Sequence, residues 1–322
     1  MRPVLVLAGL LTIASAVSAP PLAAQTYPDR PVKIVVPIGP GGGYDFVGRM
    51  LADALSKRLG QPVVVENRPG AGTIVGTQSV VTAPADGYTL LVGGLSNIVF
   101  NVGLYKKLGY DPLAELKPVA LVYNLSYVLV ARSDLPYSSP KEIIEAAKKS
   151  PEAIKLANAG TGTGQHLVGA AFMKFTGTQM LEVPYKSSPA VFADLLGGRV
   201  DLFFDSITGA LPHLKANRAK GIAILASKRS PLAPDVPTMT ESGVPGLEID
   251  SWIGLFAPAK TPPEVIARLQ KEIAASLPEL KERFEASGGT LLEIAPDKLD
   301  AFVKSEYERW LKVISETGIS LD

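Results

Sequence analysis

Apolar and polar residues follow two rhythms along this chain, and the places where one gives way to the other mark its elements. Val32-Lys33-Ile34-Val35-Val36 has the spacing and β-branching of a strand. Beyond Asp45, residues Val47, Met50, Leu51, Ala54, Leu55 and Leu59 recur at helical spacing. Between them Gly39-Pro40-Gly41-Gly42-Gly43 puts four glycines in five positions. The order predicted is strand, glycine-rich turn, helix, with Asp45 capping the first helical turn. The alternation continues with a strand at Val63 to Val65, a turn at Asn67 to Gly72, a short helix over Ile74 to Thr82 and a strand at Tyr88 to Val92. A strand-end loop follows at Gly93-Gly94-Leu95-Ser96-Asn97.

Lys117 to Arg132 carries two apolar runs and reads as the passage into a second lobe. Ser139-Pro140-Lys141-Glu142 opens a helix, with serine as cap, proline in the first turn and glutamate three residues after the serine. Ser138 and Lys141 also match a Ser/Lys nucleophile spacing, without the partner motifs of such enzymes. The opening device then recurs. Ile154 to Ala157 is a strand, Asn158-Ala159-Gly160-Thr161-Gly162-Thr163-Gly164-Gln165 a glycine- and hydroxyl-rich turn, and His166 to Phe175 a helix. Further strands are expected at Met180 to Val183, Val200 to Phe204 and Gly221 to Ala226. Trp252 to Pro258 reads as the return crossing, and everything beyond as helix, over Pro263 to Leu277, Pro278 to Ala286 and Pro296 to Thr317. In the last helix an apolar stripe including Leu299, Val303, Trp310 and Ile314 is expected to dock on the first lobe. Alternating strands and helices imply an α/β fold, whose ligands sit at the carboxyl ends of the strands.

Two glycine loops that each open onto a helix N-terminus point to anion binding. Glycine lets a ligand approach the backbone, and the first turn of a helix carries unpaired N–H groups and partial positive charge. Known phosphate loops do not fit. In a G-x-G-x-x-G register the third glycine falls on Tyr44 or Phe46, and Gly43 to Gly48 is followed by Arg49-Met50 where a phosphate loop needs Lys and then Ser or Thr. Glu66, at the end of the next strand, stands about where a ribose-binding acid would in a dinucleotide fold. Thr161, Thr163 and Gln165 add side-chain donors. His166 either reaches the cleft or bonds the local backbone; Lys186 is either a counter-charge or a solvated surface lysine; Asp205-Ser206 either lines the cleft or caps the next helix. His213 is read as structural.

Composition narrows the class. The 322 residues are 47% hydrophobic and 20% charged with net charge +1, long enough for two domains and without the basic excess of a nucleic-acid partner. Arg2, the apolar run Val4 to Val17 and the small residues before Gln25 form a secretory signal over residues 1–24, which places the mature chain outside the cytoplasm. With no cysteine and two histidines, disulfides, thiolate catalysis and Cys- or His-rich metal sites are excluded. No G-x-S-x-G or metal motif argues for an enzyme.

Together the motifs Tyr27-Pro28-Asp29-Arg30-Pro31, Pro40-Gly41-Gly42-Gly43-x-Asp45, Leu59 to Ala71, Asp86-Gly87-Tyr88-Thr89-Leu90, His166-Leu167, Val183-Pro184-Tyr185-Lys186, Asp194 to Gly198, Asp235-Val236-Pro237-Thr238 and Gly243-Val244-Pro245-Gly246 are specific. The chain resembles the Bug-type periplasmic solute receptors of tripartite tricarboxylate transporters over nearly its whole mature length. The resemblance implies a two-lobed Venus-flytrap (type II periplasmic-binding-protein) fold, with two mixed sheets, flanking helices and two crossing strands. Residues 25–125 with 251–322 would form lobe one and residues 126–250 lobe two. It implies a monomeric, non-enzymatic, cofactor-free receptor that takes a small carboxylate from the periplasm to membrane permease subunits. The expected ligand-binding set is Gly41, Gly42, Gly43, Tyr44, Asp45, Ser96, Asn97, Gly160, Thr161, Gly162, Thr163, Gln165, His166, Lys186 and Asp205. The family often has Thr or Ser where this chain has Tyr44, and many relatives have glycine at Ser187. A phenol there is expected to stack on an aromatic ligand or narrow the pocket.

Overall fold

The computed structural model describes residues 27–317 and Ser320, so the signal reading of residues 1–24 lies outside the described residues. Strands β1 (Val32–Val36), β2 (Val63–Asn67) and β3 (Thr89–Gly94) are parallel, with β1 in the middle. The long strand β4 (Leu116–Arg132) leaves this group. It is followed by the parallel set β5 (Lys155–Asn158), β6 (Leu181–Pro184) and β7 (Leu202–Ser206), then by β8 (Ala219–Ile224), β9 (Asp250–Pro258) and β10 (Thr290–Leu291). The path β2-β1-β3-β9-β4-β7-β5-β6 is continuous, with β8 and β10 also on β4. The first part of β4 pairs antiparallel with β9 as far as Ser126 opposite Asp250; from Tyr127 on it lies between β7 and β8. The two expected mixed sheets therefore share β4, while the expected second crossing strand, β9, pairs only with β3 and the first part of β4. Their near-continuous burial explains why both read as apolar runs.

Helices α1 (Gly43–Leu59), α2 (Ile74–Val81), α3 (Asn101–Leu104), α4 (Pro112–Glu115), α5 (Pro140–Lys149), α6 (Gly164–Thr176), α7 (Ser188–Leu196), α8 (Ile207–Lys215), α9 (Pro263–Ala286) and α10 (Leu299–Thr317) connect or cover the strands. α1, α6, α7 and α8 each start at the carboxyl end of a parallel strand, which is what aims their N-termini at a common crevice. At α5 the expected capping box is present. Ser139 Oγ accepts from Glu142 N at 3.3 Å, and Glu142 Oε2 accepts from Ser139 N at 3.2 Å.

The C-terminal stripe docks as expected. Leu299, Val303, Trp310 and Ile314 are buried, Trp310 meets Phe100 edge-on at 5.1 Å, and Glu306 accepts from both Trp252 and Trp310.

Three expectations are corrected. The strand-end loop after β3 is a π-helical turn, Leu95–Phe100, whose six residues are all buried. Pro278 does not separate two helices but sits inside the single α9, where the contacts of Leu269, Ile273, Leu280 and Phe284 with the core outweigh one missing backbone bond. The tail is not wholly helical either, since Thr290 and Leu291 pair with Asn124 and Tyr123 of β4.

Candidate ligand-binding cleft

The first glycine loop is braced from behind. Gly41, at φ +89°, turns its N–H onto Asp45 Oδ2 at 3.0 Å. Arg49 bonds both oxygens of that carboxylate at 3.0 and 2.9 Å, and Asn67 Nδ2 donates to Asp45 Oδ1 and to the Ile38 carbonyl. Burial works against ionisation of Asp45, but bonds from Arg49, Gly41 and Asn67 outweigh it and hold the carboxyl below its ordinary range. Asp45 is thus a brace inside the first turn of α1, whereas the helix is capped by Gly42 with no side-chain bond. The amides of Gly42, Gly43 and Tyr44 have no partner among the described residues. They form a nest of unpaired donors at a positive helix end, buried at the contact between the halves.

The second loop spends most of its donors on itself and one on Ser96. Gly160 N bonds Asn158 Oδ1 at 3.0 Å, Gly162 N bonds His166 Nδ1 at 3.2 Å, and Thr163 N and Oγ1 both bond the Gly160 carbonyl. Gly164 N, the first donor of α6, reaches across to Ser96 Oγ at 2.9 Å. Thr161 and Gln165 keep unpaired amides among the described residues. His166 therefore serves the local backbone, with Nε2 3.3 Å from Glu182 Oε1, and not the cleft.

Backbone approaches show that the two halves are in contact here. A Cβ on Gly72 would lie 2.6 Å from the Thr161 carbonyl oxygen, one on Gly39 would lie 2.6 Å from the Lys186 carbonyl oxygen, and one on Gly43 would lie 3.6 Å from Ser206 Oγ. Beside this contact is a cavity of about 450 Å³, walled by Pro37, Ile38, Pro69 to Thr73, Ala159 to Thr161, Thr163 and Pro184 to Lys186. That volume falls in the range of small-molecule sites, roughly 300–1,000 Å³. Gly160, Thr161, Thr163 and Lys186 of the expected set line it, and Lys186 is exposed at its mouth. Gly41 to Asp45 do not line it. Ile38 stands between, its Cδ1 3.2 Å from a Cβ on Gly42.

Beneath the loops lies Asp205, fully buried. Its Oδ1 accepts from Ser188 Oγ at 2.9 Å and Gln165 Nε2 at 3.3 Å, while Oδ2 has no partner. Burial pushes this carboxyl up to about 6, against the opposing pull of Gln165, Ser188 and Ser206. The neighbouring Ser206 caps α8 through Gly209 N. Of the roles left open for the pair, Ser206 takes the helix cap, while Asp205 is buried behind Ser188 and Gln165 and is not among the residues that wall the cavity. Asn97 is structural, taking Gly94 N on Oδ1 and giving Nδ2 to Thr77 Oγ1. Tyr44 is buried, its phenol oxygen accepting from Ser96 N at 3.2 Å. His213 stacks on Phe192 at 3.8 Å, the structural role expected. Glu66 is paired with Lys33 and Arg68 at the surface.

Sequence reasoning missed Ser188 and the wall formed by Pro69 to Thr73. The signal was present, because Asn67 to Gly72 repeats the order strand, glycine turn, helix.

This architecture recurs among known proteins. The family model TctC, described as the tripartite tricarboxylate transporter family receptor, matches residues 47–319. The chain belongs to that receptor family. The receptor is 37% identical to the protein BugT of Bordetella pertussis over 312 residues, 96% of each chain. The solved periplasmic binding protein BugD superposes with a TM-score of 0.86 at 38% identity, over 91% of this receptor and 99% of BugD. An R. palustris protein solved with adipate gives 0.87 at 32% identity, over 92% and 100%. The fold is thus the α/β periplasmic-binding-protein fold, and the chain is a solute-binding receptor, not an enzyme.

Proposed function

We propose that this receptor captures a small carboxylate between two lobes, residues 25–125 with 251–322 and residues 126–250, and delivers it in the periplasm to membrane permease subunits. The observation that supports this most is the open nest of Gly42, Gly43 and Tyr44 amides at the start of α1, facing Ser188 and Ser206 of the opposite half. Adipate in a 32% identical structure supports a carboxylate as the ligand.

Each helix-terminus contact contributes about 0.3–2 kcal/mol, while a micromolar receptor needs about 8 kcal/mol. The nest must therefore be joined by Gln165 N, Thr161 and desolvation on closure. A thermal-shift screen of the purified protein against mono-, di- and tricarboxylates tests the reading. Ligands of the native state raise the melting temperature in proportion to occupancy. At least one carboxylate should do so with micromolar affinity; a flat response across the whole panel would reject the function.

A further inference from the structure

We propose that Lys186 to Pro189 is a strap that shuts over the α1 nest when a ligand is held there, and that Gly39 is the residue that lets it shut. The inference rests on the carboxylate-receptor reading above and adds to it how the nest is covered and uncovered.

This segment of the second half leads into α7 and lies along the first glycine loop. A Cβ on Gly39 would lie 2.6 Å from the Lys186 carbonyl oxygen and 3.0 Å from Ser187 Cβ, one on Gly41 2.7 Å from Pro189 Cγ, and one on Gly42 3.8 Å from Ser188 Oγ. Gly39, Gly42, Gly43 and Tyr44 are buried, whereas Lys186 and Pro189 are exposed to solvent. Gly39 is a glycine because of the strap and not because of its own half. The three atoms nearest its missing Cβ all belong to Lys186 and Ser187, and its φ is not left-handed, so its backbone would accept a side chain. Gly48 and Gly76 are the contrast, since a Cβ there would run into Val36 Cγ2 or Pro37 Cα at 2.7 Å, inside the same half. Position 39 therefore lacks room only while the strap is shut. What a side chain there meets first is a backbone carbonyl, which cannot turn aside as a side-chain tip can.

The strap is held by its own half. Tyr185 N bonds the Asn158 carbonyl at 2.9 Å, Tyr185 Oη bonds Asp194 Oδ2 at 2.7 Å, and Ser188 Oγ bonds Asp205 Oδ1 at 2.9 Å. To residues 39–42 it makes no hydrogen bond among the described residues, so it can part from them without breaking one. Covering the nest buries Gly42, Gly43 and Tyr44 with amides that lack a protein partner, which disfavours the shut strap until an acceptor enters the nest. A carboxylate is such an acceptor, so binding and closure favour one another.

Gly39→Ala and Gly39→Val test this by small-angle scattering and stopped-flow kinetics, with adipate as the probe, or malate if adipate does not bind wild type. Without ligand both variants should melt close to wild type, because the added atoms meet only the other half. With saturating acid wild type should contract, while Gly39→Val keeps a larger radius of gyration. The acid should leave Gly39→Ala about tenfold faster than wild type and Gly39→Val about 100-fold faster, with association nearly unchanged. Gly39→Ala carries the test alone if valine prevents folding. Unchanged dissociation from the folded variants would overturn the proposal, as would a loss of affinity lying wholly in association, and either result leaves the carboxylate-receptor reading intact. A wild type that binds neither acid would also end the proposal, and would end that reading only if the whole carboxylate panel stays flat.

Discussion

The two glycine loops look alike in sequence and differ in what they do with their amides. At Gly41 to Asp45 a side chain is sacrificed to hold the loop from behind, and Gly42, Gly43 and Tyr44 are left with nothing to bond. At Gly160 to Gln165 most donors are consumed by Asn158, His166, the Gly160 carbonyl and Ser96. In the proposed function the first loop receives the ligand's charge and the second mainly closes over it. Glycine content alone does not distinguish them; the neighbours that reach the amides do.

The largest expected effect comes from filling the open nest. In Gly42→Asp a carboxylate takes the ligand's place, and its Cβ meets the flexible end of Ile38 at 3.2 Å and Ser188 Oγ at an ordinary 3.8 Å, so the fold should persist. Binding by calorimetry should weaken by about 100-fold or more, the equivalent of about 3 kcal/mol. An unchanged affinity would break the comparison.

The floor under both loops should show in pH dependence. The Asp205 carboxyl sits at about 6 in the folded state against 3.8 ordinarily, so the folded state holds the proton more tightly. Its contribution to stability is neutral below pH ~4, turns unfavourable as pH rises through 6 and then levels off, at a total of about 3 kcal/mol. Asp205→Asn should remove that slope, read as the difference between wild-type and variant urea midpoints from pH 4 to 8. Parallel profiles would show that Asp205 does not titrate there.

A smaller effect is expected where the loops touch. Ser96→Ala leaves Gly164 N unpaired on closure, a cost of about 1–3 kcal/mol, so affinity should fall roughly tenfold with the unliganded melting temperature nearly constant if closure is mainly ligand-driven. The smallest effect on binding belongs to His166. His166→Ala should lower the melting temperature while changing affinity by less than about threefold, or ~0.7 kcal/mol; a large loss of affinity at unchanged stability would return His166 to the ligand.

Much of this was legible in the chain. The β-branched run of β1, the cap at Ser139 and the apolar stripe of α10 are local patterns that packing reinforces. Less legible were features decided by distant neighbours. Leu95 to Phe100 became a π-helical turn because Tyr44 and Trp310 pack on it from two separate parts of the chain, while its own Asn97 takes the amide of Gly94. Pro278 could stay in α9 because the face of that helix is buried along its length. The roles of Asp45 and His166 depended on Arg49, Asn67, Gly162 and Glu182, none of which follows from a glycine loop and its spacing.

The central claim concerns individual amides, and amide resonances report on it directly. In an ¹H–¹⁵N titration with a carboxylate that raises the melting temperature, the signals of Gly42, Gly43 and Tyr44 should move downfield together as new charge-assisted bonds form, with Gln165 following and Gly162 nearly still. Shifts centred on Gly160 to Gly164 with Gly42 to Tyr44 unmoved would contradict the account.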